Sequence, residues 1–463
     1  MPYLSRRTFI ELAGASLICG CSDPQSIAGS TDFPVLAFSD LHFNPLYDQT
    51  PALLAALVAA DASQWASIFA TSAQTGPSLP GADTNYPLLV LAMASIKQNL
   101  SGSPLILYTG DLLGHSISTN LTKYTGITDP AVIQSFNDKT VTFVTQQIRS
   151  AVGDTPVMFA VGNCDSYTGY GPDSSFLAHS ADSFYTNLLN KSTDHAAFLA
   201  SFIAGGYYSA EPAGTNVMVI SLNTIQFSPL VQNKDGSESN EVSVDAELAW
   251  FDSQLAAAKA AGKKVWLLMH APPGADEGTT AKSVTASGHL ASATMMWEPN
   301  YQATFMDTLA KYPGAIALTL AGHTHMDEYR VMSSGNVVEI VPGISPCFGN
   351  DPAYKVFMVD SVTKAPADYS SFNYDLTAVP MPSQFSAYYK YSDVFSLKGS
   401  LGSSLELLRP GLVTNNSSQT LYRGHFYSGN NVANLITDTN WPVYWGGIGN
   451  MWAQDLTNTV NSY

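Results

Sequence analysis

Short, largely apolar runs that end on glycine or a polar residue recur along this chain. Val35-Leu36-Ala37-Phe38 leads to Asp40, Leu105-Ile106-Leu107-Tyr108 to Gly110-Asp111, and Val157 to Val161 to Gly162-Asn163. Val265 to Met269 leads to His270, and Ala315 to Leu320 to Gly322-His323-Thr324-His325. Runs of this length without polar alternation predict strands buried on both faces. Between them lie stretches of helical composition at Ala52 to Ala70, Tyr86 to Leu100, Ala131 to Ser150, Val244 to Ala261 and Trp297 to Tyr312. The alternation predicts βαβ units and a largely parallel central sheet, hence an α/β fold. Gly206 to Ser209 and Val217 to Leu222 read as a hairpin feeding that sheet. Tyr329 to Met332, Val337 to Val341 and Tyr354 to Val359 read as later strands. Residues 275–295, small and polar, read as a lid loop. From Ser383 the pattern turns to amphipathic helices. The chain therefore divides into 1–21, a main domain over 22–382 and a C-terminal helical appendage over 383–463.

The polar residues that close the apolar runs share one chemistry. Ligands at the carboxyl ends of strands are where an open α/β sheet builds its site, so these distant motifs are expected in one crevice. Asp40, His42, Asp111, Asn163, His270, His323 and His325 offer carboxylate, imidazole and amide donors, which suit hard or borderline divalent cations. Two cations roughly 3.5–4 Å apart neutralise phosphoester oxygens and bring the pKa of a shared water down to about 7. Asp111 is the candidate carboxylate between them. Histidines 179, 195, 289 and 425 fit no motif and read as surface or lid residues.

The order Asp-x-His, Gly-Asp, Gly-Asn, His, Gly-His-x-His resembles the calcineurin-like metallophosphoesterases over roughly residues 33–380. Gly110 to His115, His270-Ala271-Pro272-Pro273-Gly274, Ser221 to Thr224 and Pro342 to Tyr354 are similar to the acid sphingomyelinase-like phosphodiesterase branch, with endopolyphosphatases as relatives. The resemblance implies a four-layer α/β/β/α sandwich. It implies Asp40, His42 and His325 on one ion and Asn163, His270 and His323 on a second, with Asp111 shared. Zinc is the branch's usual metal, and iron and manganese suit the same donors. A hydroxide held by both ions would attack phosphorus, and His115 would protonate the leaving oxygen. Asn163, Asp165 and Asn350 are further candidates for substrate contact, and Asp83-Asn85-Tyr86 for lining the cleft. The branch's Gly-Asn-His reads here as Gly162-Asn163-Cys164, so a thiol replaces a phosphate-contacting imidazole, which weighs against sphingomyelin itself. The expected activity is hydrolysis of a phosphodiester or phosphoanhydride in a lipid or small molecule. A phosphomonoesterase, an endopolyphosphatase-like enzyme and a non-catalytic surface lipoprotein are the alternatives.

Composition adds bounds. The 463 residues are 45% apolar and only 12% charged, with a net charge of −17. So acidic a chain argues against nucleic acid as a partner, since phosphate binding needs clustered Lys and Arg. Ser5-Arg6-Arg7-Thr8-Phe9-Ile10 fits a twin-arginine export signal, and the apolar stretch Leu12 to Ile18 is far short of the roughly 20 residues that span a bilayer. Ile18-Cys19-Gly20-Cys21 resembles a lipobox with Cys21 as the lipidated residue, which predicts an exported, periplasmic or membrane-tethered protein. Cys164 and Cys347 remain. They read as free thiols, with a bridge between them as the alternative.

Overall fold

The computed structural model describes residues 32–168, 170–231, 244–430 and 435–463. The export signal and Cys21 lie outside the described residues. Among the described residues, twelve strands follow in chain order: β1 (Phe33–Phe38), β2 (Ile106–Tyr108), β3 (Val157–Phe159), β4 (Tyr208–Ala210), β5 (Val217–Ser221), β6 (Lys264–Leu268), β7 (Ile316–Ala321), β8 (Glu328–Val331), β9 (Val337–Ile340), β10 (Ala353–Val359), β11 (Pro366–Asn373) and β12 (Ser386–Lys390). They form two six-stranded mixed sheets where the βαβ rhythm alone predicts one largely parallel central sheet. The first has the order β12-β11-β10-β1-β2-β3 and the second β4-β5-β6-β7-β9-β8. The parallel part of each sheet, β1-β2-β3 and β5-β6-β7-β9, carries the apolar runs read from the sequence.

Side-chain alternation builds the layers. In β5 and β6, Val217, Val219, Trp266 and Leu268 pack into the core shared with the first sheet. Their neighbours Met218, Ile220, Val265 and Leu267 face the opposite way, into a second core with helices Val244–Ala260 and Pro299–Lys311. A strand's period of two thus serves two cores at once. Phe33 of β1 stacks on Trp266 of β6, ring to ring across the sheets. Helices Tyr86–Asn99 and Pro130–Val152 pack beside the first sheet, where Ser95 and Asn99 reach the Tyr354 hydroxyl of β10. The result is the four-layer α/β/β/α arrangement.

Two local expectations change. The helix read over 52–70 is split. A first helix ends at Ala59, and Asp61 opens a 3₁₀ turn over Ala62–Gln64, with Gln64 reaching back to the Asp61 backbone, before a second helix over Trp65–Phe69. Residues 275–295 are not a free lid. They contain the helix Glu277–Lys282, and Ala275, Leu290 and Ala293 are buried. The last helix, Ala453–Ser462, pins them through Asn461 to Leu290 and Thr457 to Ala293. After β12 the chain is helical, over Tyr391–Val394, Leu401–Thr414, Asn416–Phe426, Trp441–Gly447 and the last helix. Among the described residues, no helix is long and apolar enough to cross a membrane.

Candidate active site

The loops leaving the carboxyl ends of β1, β2, β6 and β7 are tied to one another by backbone bonds. Asp40 N–H donates to Gly110 O, His42 N–H to Asp111 O, and Gly322 N–H to His270 O, each at 2.9 Å. The turns are tight. Asp40, His42, Asp111, His323 and His325 all have positive φ, between 40° and 74°. Non-glycine residues rarely hold that conformation, and where they do, surrounding contacts enforce it. Glycine is required for a different reason at Gly162 and Gly322. A Cβ on Gly162 would collide with the Asp111 carboxylate, and one on Gly322 with Ser39 and Asp40.

Two donor groups result. Asp40, His42 and His325 place ligand atoms within 4.8 Å of one another, and so do Asp111, His270 and His323. Each group draws on both sheets, since Asp40, His42 and Asp111 follow the first and the other histidines follow the second. Asp111 Oδ2 lies 3.2 Å from His42 Nε2 and 3.2 Å from His270 Nε2, so it touches both groups. Asn163 Oδ1 comes within 3.2 Å of His270 Nε2. Three imidazoles are oriented alike, with Nδ1 against a backbone carbonyl: His42 on Leu113 O, His270 on Thr109 O, His325 on Ser345 O. That turns each Nε2 into the common space, toward the Asp40 and Asp111 carboxylates, the arrangement that fixes ligand histidines. Asp40 is held in turn by the Ser39 hydroxyl and the His323 N–H. The donor set therefore fits two divalent cations.

The electrostatics point the same way. Burial pushes Asp40 up, but the charges of His325 and His270 and the hydrogen bond to His42 outweigh it and set its pKa at about 2. Asp111 is likewise penalised by burial, yet His270 and His42 hold it well below the usual carboxylate range. Burial pulls His42 and His270 down, and Asp111 more than reverses this, to about 9 in each. His323 and His325 fall to about 4, chiefly through burial. The pocket is therefore organised around ionised carboxylates that require positive charge beside them.

His115 stands at the rim with its side chain 42% exposed, stacked on His42 at 4.4 Å between ring centroids. Asp83 grips it twice, through Nδ1 and the backbone N–H, each at 2.7 Å. Burial raises the Asp83 carboxyl, but the bond from His115 and the charges of His42 and His115 bring it below its ordinary value. Sequence reading placed Asp83 on the cleft wall but missed that it orients His115, because a helix and β2 separate the pair along the chain. Two other assignments give way. Asp165 is buried, and its carboxylate accepts the backbone N–H groups of Asp111, Leu112, Leu113 and Gly162, so it anchors the Asp111 loop and has no edge left for substrate. Asn350 is fully buried and donates to the carbonyls of Gly343, Ser345 and Asp351, which makes it a strut of the loop after β9. Cys164 and Cys347 are free thiols.

Two sheets whose carboxyl ends converge on paired Asp/His clusters define a metallophosphoesterase. The chain belongs to the calcineurin-like phosphoesterase family, whose model matches residues 33–327, and it is a metal-dependent phosphoric ester hydrolase. Among its relatives, "Sphingomyelinase phosphodiesterase D" of Dictyostelium discoideum is 26% identical over 73% of this chain and 72% of that protein. "Cyclic GMP-AMP phosphodiesterase SMPDL3A" of Rattus norvegicus is 23% identical over 84% of this chain and 82% of that protein. A solved dimetal phosphatase from Danio rerio aligns at 12% identity over 77% of this chain and 98% of that one, with a TM-score of 0.42. The resemblance read from the motifs to the acid sphingomyelinase-like branch holds.

Proposed function

We propose that the protein is an exported phosphodiesterase that acts on a lipid or small-molecule diester. In this reading Asp40, His42 and His325 hold one divalent ion, Asn163, His270 and His323 hold a second, and Asp111 is shared. The single observation that carries the ligand assignment is the position of Asp111 Oδ2, equidistant from one imidazole of each group. When bound, the two ions neutralise the phosphoryl oxygens and lower the pKa of water at the site. Zinc suits the imidazole-rich set best.

The remaining chemistry belongs to side chains. An alkyl leaving group departs as an alkoxide unless it is protonated, and His115 is placed to supply the proton. Asp83 occupies Nδ1 and fixes the ring, which leaves Nε2 as the atom that carries the proton to the leaving oxygen. A positioned acid of this kind contributes typically about 10² to 10⁴ in rate. Phe348, 51% exposed, lies edge-on to both His115 and His325 and gives the rim an apolar lip. That lip suits a diester with an apolar arm. The phosphodiesterase names of the relatives support the same reading, as does the twin-arginine pattern for export. The test compares bis(nitrophenyl) phosphate with nitrophenyl phosphate on purified, metal-loaded protein. Preference for the diester is expected, and preference for the monoester overturns the assignment.

A further inference from the structure

A third donor group lies at the rim, outside the two groups above. Asp83, His115 and Cys347 place a carboxylate oxygen, an imidazole nitrogen and a thiol sulfur within 4.8 Å of one another. None is fully buried, and none belongs to the ligands assigned to the two ions. Cys347 Sγ lies 3.7 Å from His325 Nδ1, which Ser345 O already occupies at 3.0 Å. Three mixed protein ligands with one position open to solvent is a coordination that zinc and similar thiophilic ions accept. A thiolate and the Asp83 carboxylate would together balance a divalent charge.

We propose that Asp83, His115 and Cys347 form a third, inhibitory site for a thiophilic divalent cation. As the sulfur–metal bond forms, the Cys347 thiol proton leaves to water. Coordination removes from His115 either its free nitrogen or its bond to Asp83, and proton transfer needs both. The neighbouring set His42, His115 and Cys164 is equally compact but consumes His42, which the first ion requires. In the loaded enzyme the Cys347 set is the one that can fill. Hard ions such as magnesium, which bind thiolate poorly, do not occupy it. The loss of turnover rests on the proposed role of His115, whereas the site itself rests on the geometry alone.

The experiment starts from enzyme carrying two equivalents of metal and adds cobalt(II) or zinc. It follows thiolate-to-cobalt charge-transfer absorption and, separately, hydrolysis of an alkyl diester and of a nitrophenyl diester. The expected result is a charge-transfer band that saturates at one further equivalent. Alkyl-diester turnover falls at least about tenfold while nitrophenyl turnover falls less. Cys347→Ala removes band and inhibition and keeps basal turnover; Cys164→Ala keeps the band. Absence of the band, its survival in Cys347→Ala, or its loss in Cys164→Ala overturns the site. A band without inhibition overturns the inhibitory role, and counts against His115 as proton donor but not against the site.

Discussion

Two clusters of buried carboxylates in this molecule are balanced differently. Beneath the C-terminal helices, Arg330 is fully buried between Glu328 at 2.6 Å and Glu277 at 3.0 Å. Nearby, Lys355 lies between Asp327 at 2.8 Å and Glu339 at 3.2 Å, with its ammonium 4.4 Å from the centre of the Tyr369 ring. Each network pairs a cation from the chain with two carboxylates. In the cleft, Asp40 and Asp111 are just as buried, yet among the described residues neither is paired with a lysine or arginine, only with histidines. Where the chain supplies its own cation, the network is closed and structural. Where it supplies only imidazoles, whose Nε2 atoms face the carboxylates, the counter-charge is titratable and can be exchanged for cations from solution, and the site is chemical.

Substitutions that separate activity from stability sharpen this contrast. Asp111→Ala is expected to lower kcat/KM at least about a thousandfold and to reduce bound metal below two ions per chain by elemental analysis. Its thermal stability without added metal should change little; a fully active variant would break the contrast outright. Lys355→Met should do the reverse. It strands two buried carboxylates and costs about 3–5 kcal/mol in denaturant unfolding, while metal content and turnover of the folded fraction stay near wild type. His115→Ala should cost about 10² to 10⁴ on an alkyl diester and little on a nitrophenyl diester, whose leaving group needs no proton. Equal losses on both substrates would remove it from the acid role.

The last test concerns a buried carboxyl that has no lysine or arginine partner among the described residues. Glu247 accepts the Asn223 N–H at 2.7 Å, and burial pushes its pKa from 4.5 up to about 8. The folded state therefore holds a proton that the unfolded state has lost between those two pH values. Stability falls as pH rises through that window, and the penalty is complete above about 8. The total is of the order of a few kcal/mol, at about 1.4 kcal/mol per unit. Glu247→Gln should flatten the dependence of Tm on pH across the window, and an unchanged slope would show that the carboxyl is not the source.

Much of the cleft was legible because each ligand closes an apolar run, and a run buried on both faces is the strongest strand signal a sequence offers. β1, β2, β3, β6 and β7 all fall where those runs lie. Which sheet each strand joins was not legible, since Val217 to Ser221 and Val157 to Phe159 are equally apolar and only long-range pairing sorts them. The segment 275–295 misled because small polar residues look unconstrained until Thr457 and Asn461, more than 160 positions away, are seen bonding to it. Asp165 looks like a site residue because it lies two positions from Asn163, and Asn350 because its stretch resembles the branch's loop after the last histidine pair. The Asp165 carboxylate turns out to be spent on backbone amides and the Asn350 amide nitrogen on backbone carbonyls, a use that composition cannot show.

Because each ligand group takes side chains from loops of both sheets, ions seated there would act as clasps across the sandwich. With them bound, the two layers would be joined at that end by coordination as well as by apolar contact. Each ion at a hundredfold excess over its Kd would add about 2.7 kcal/mol to the folded state. A chelator would then do more than silence the enzyme: it would loosen the seam between its halves, and the melting temperature would track metal supply.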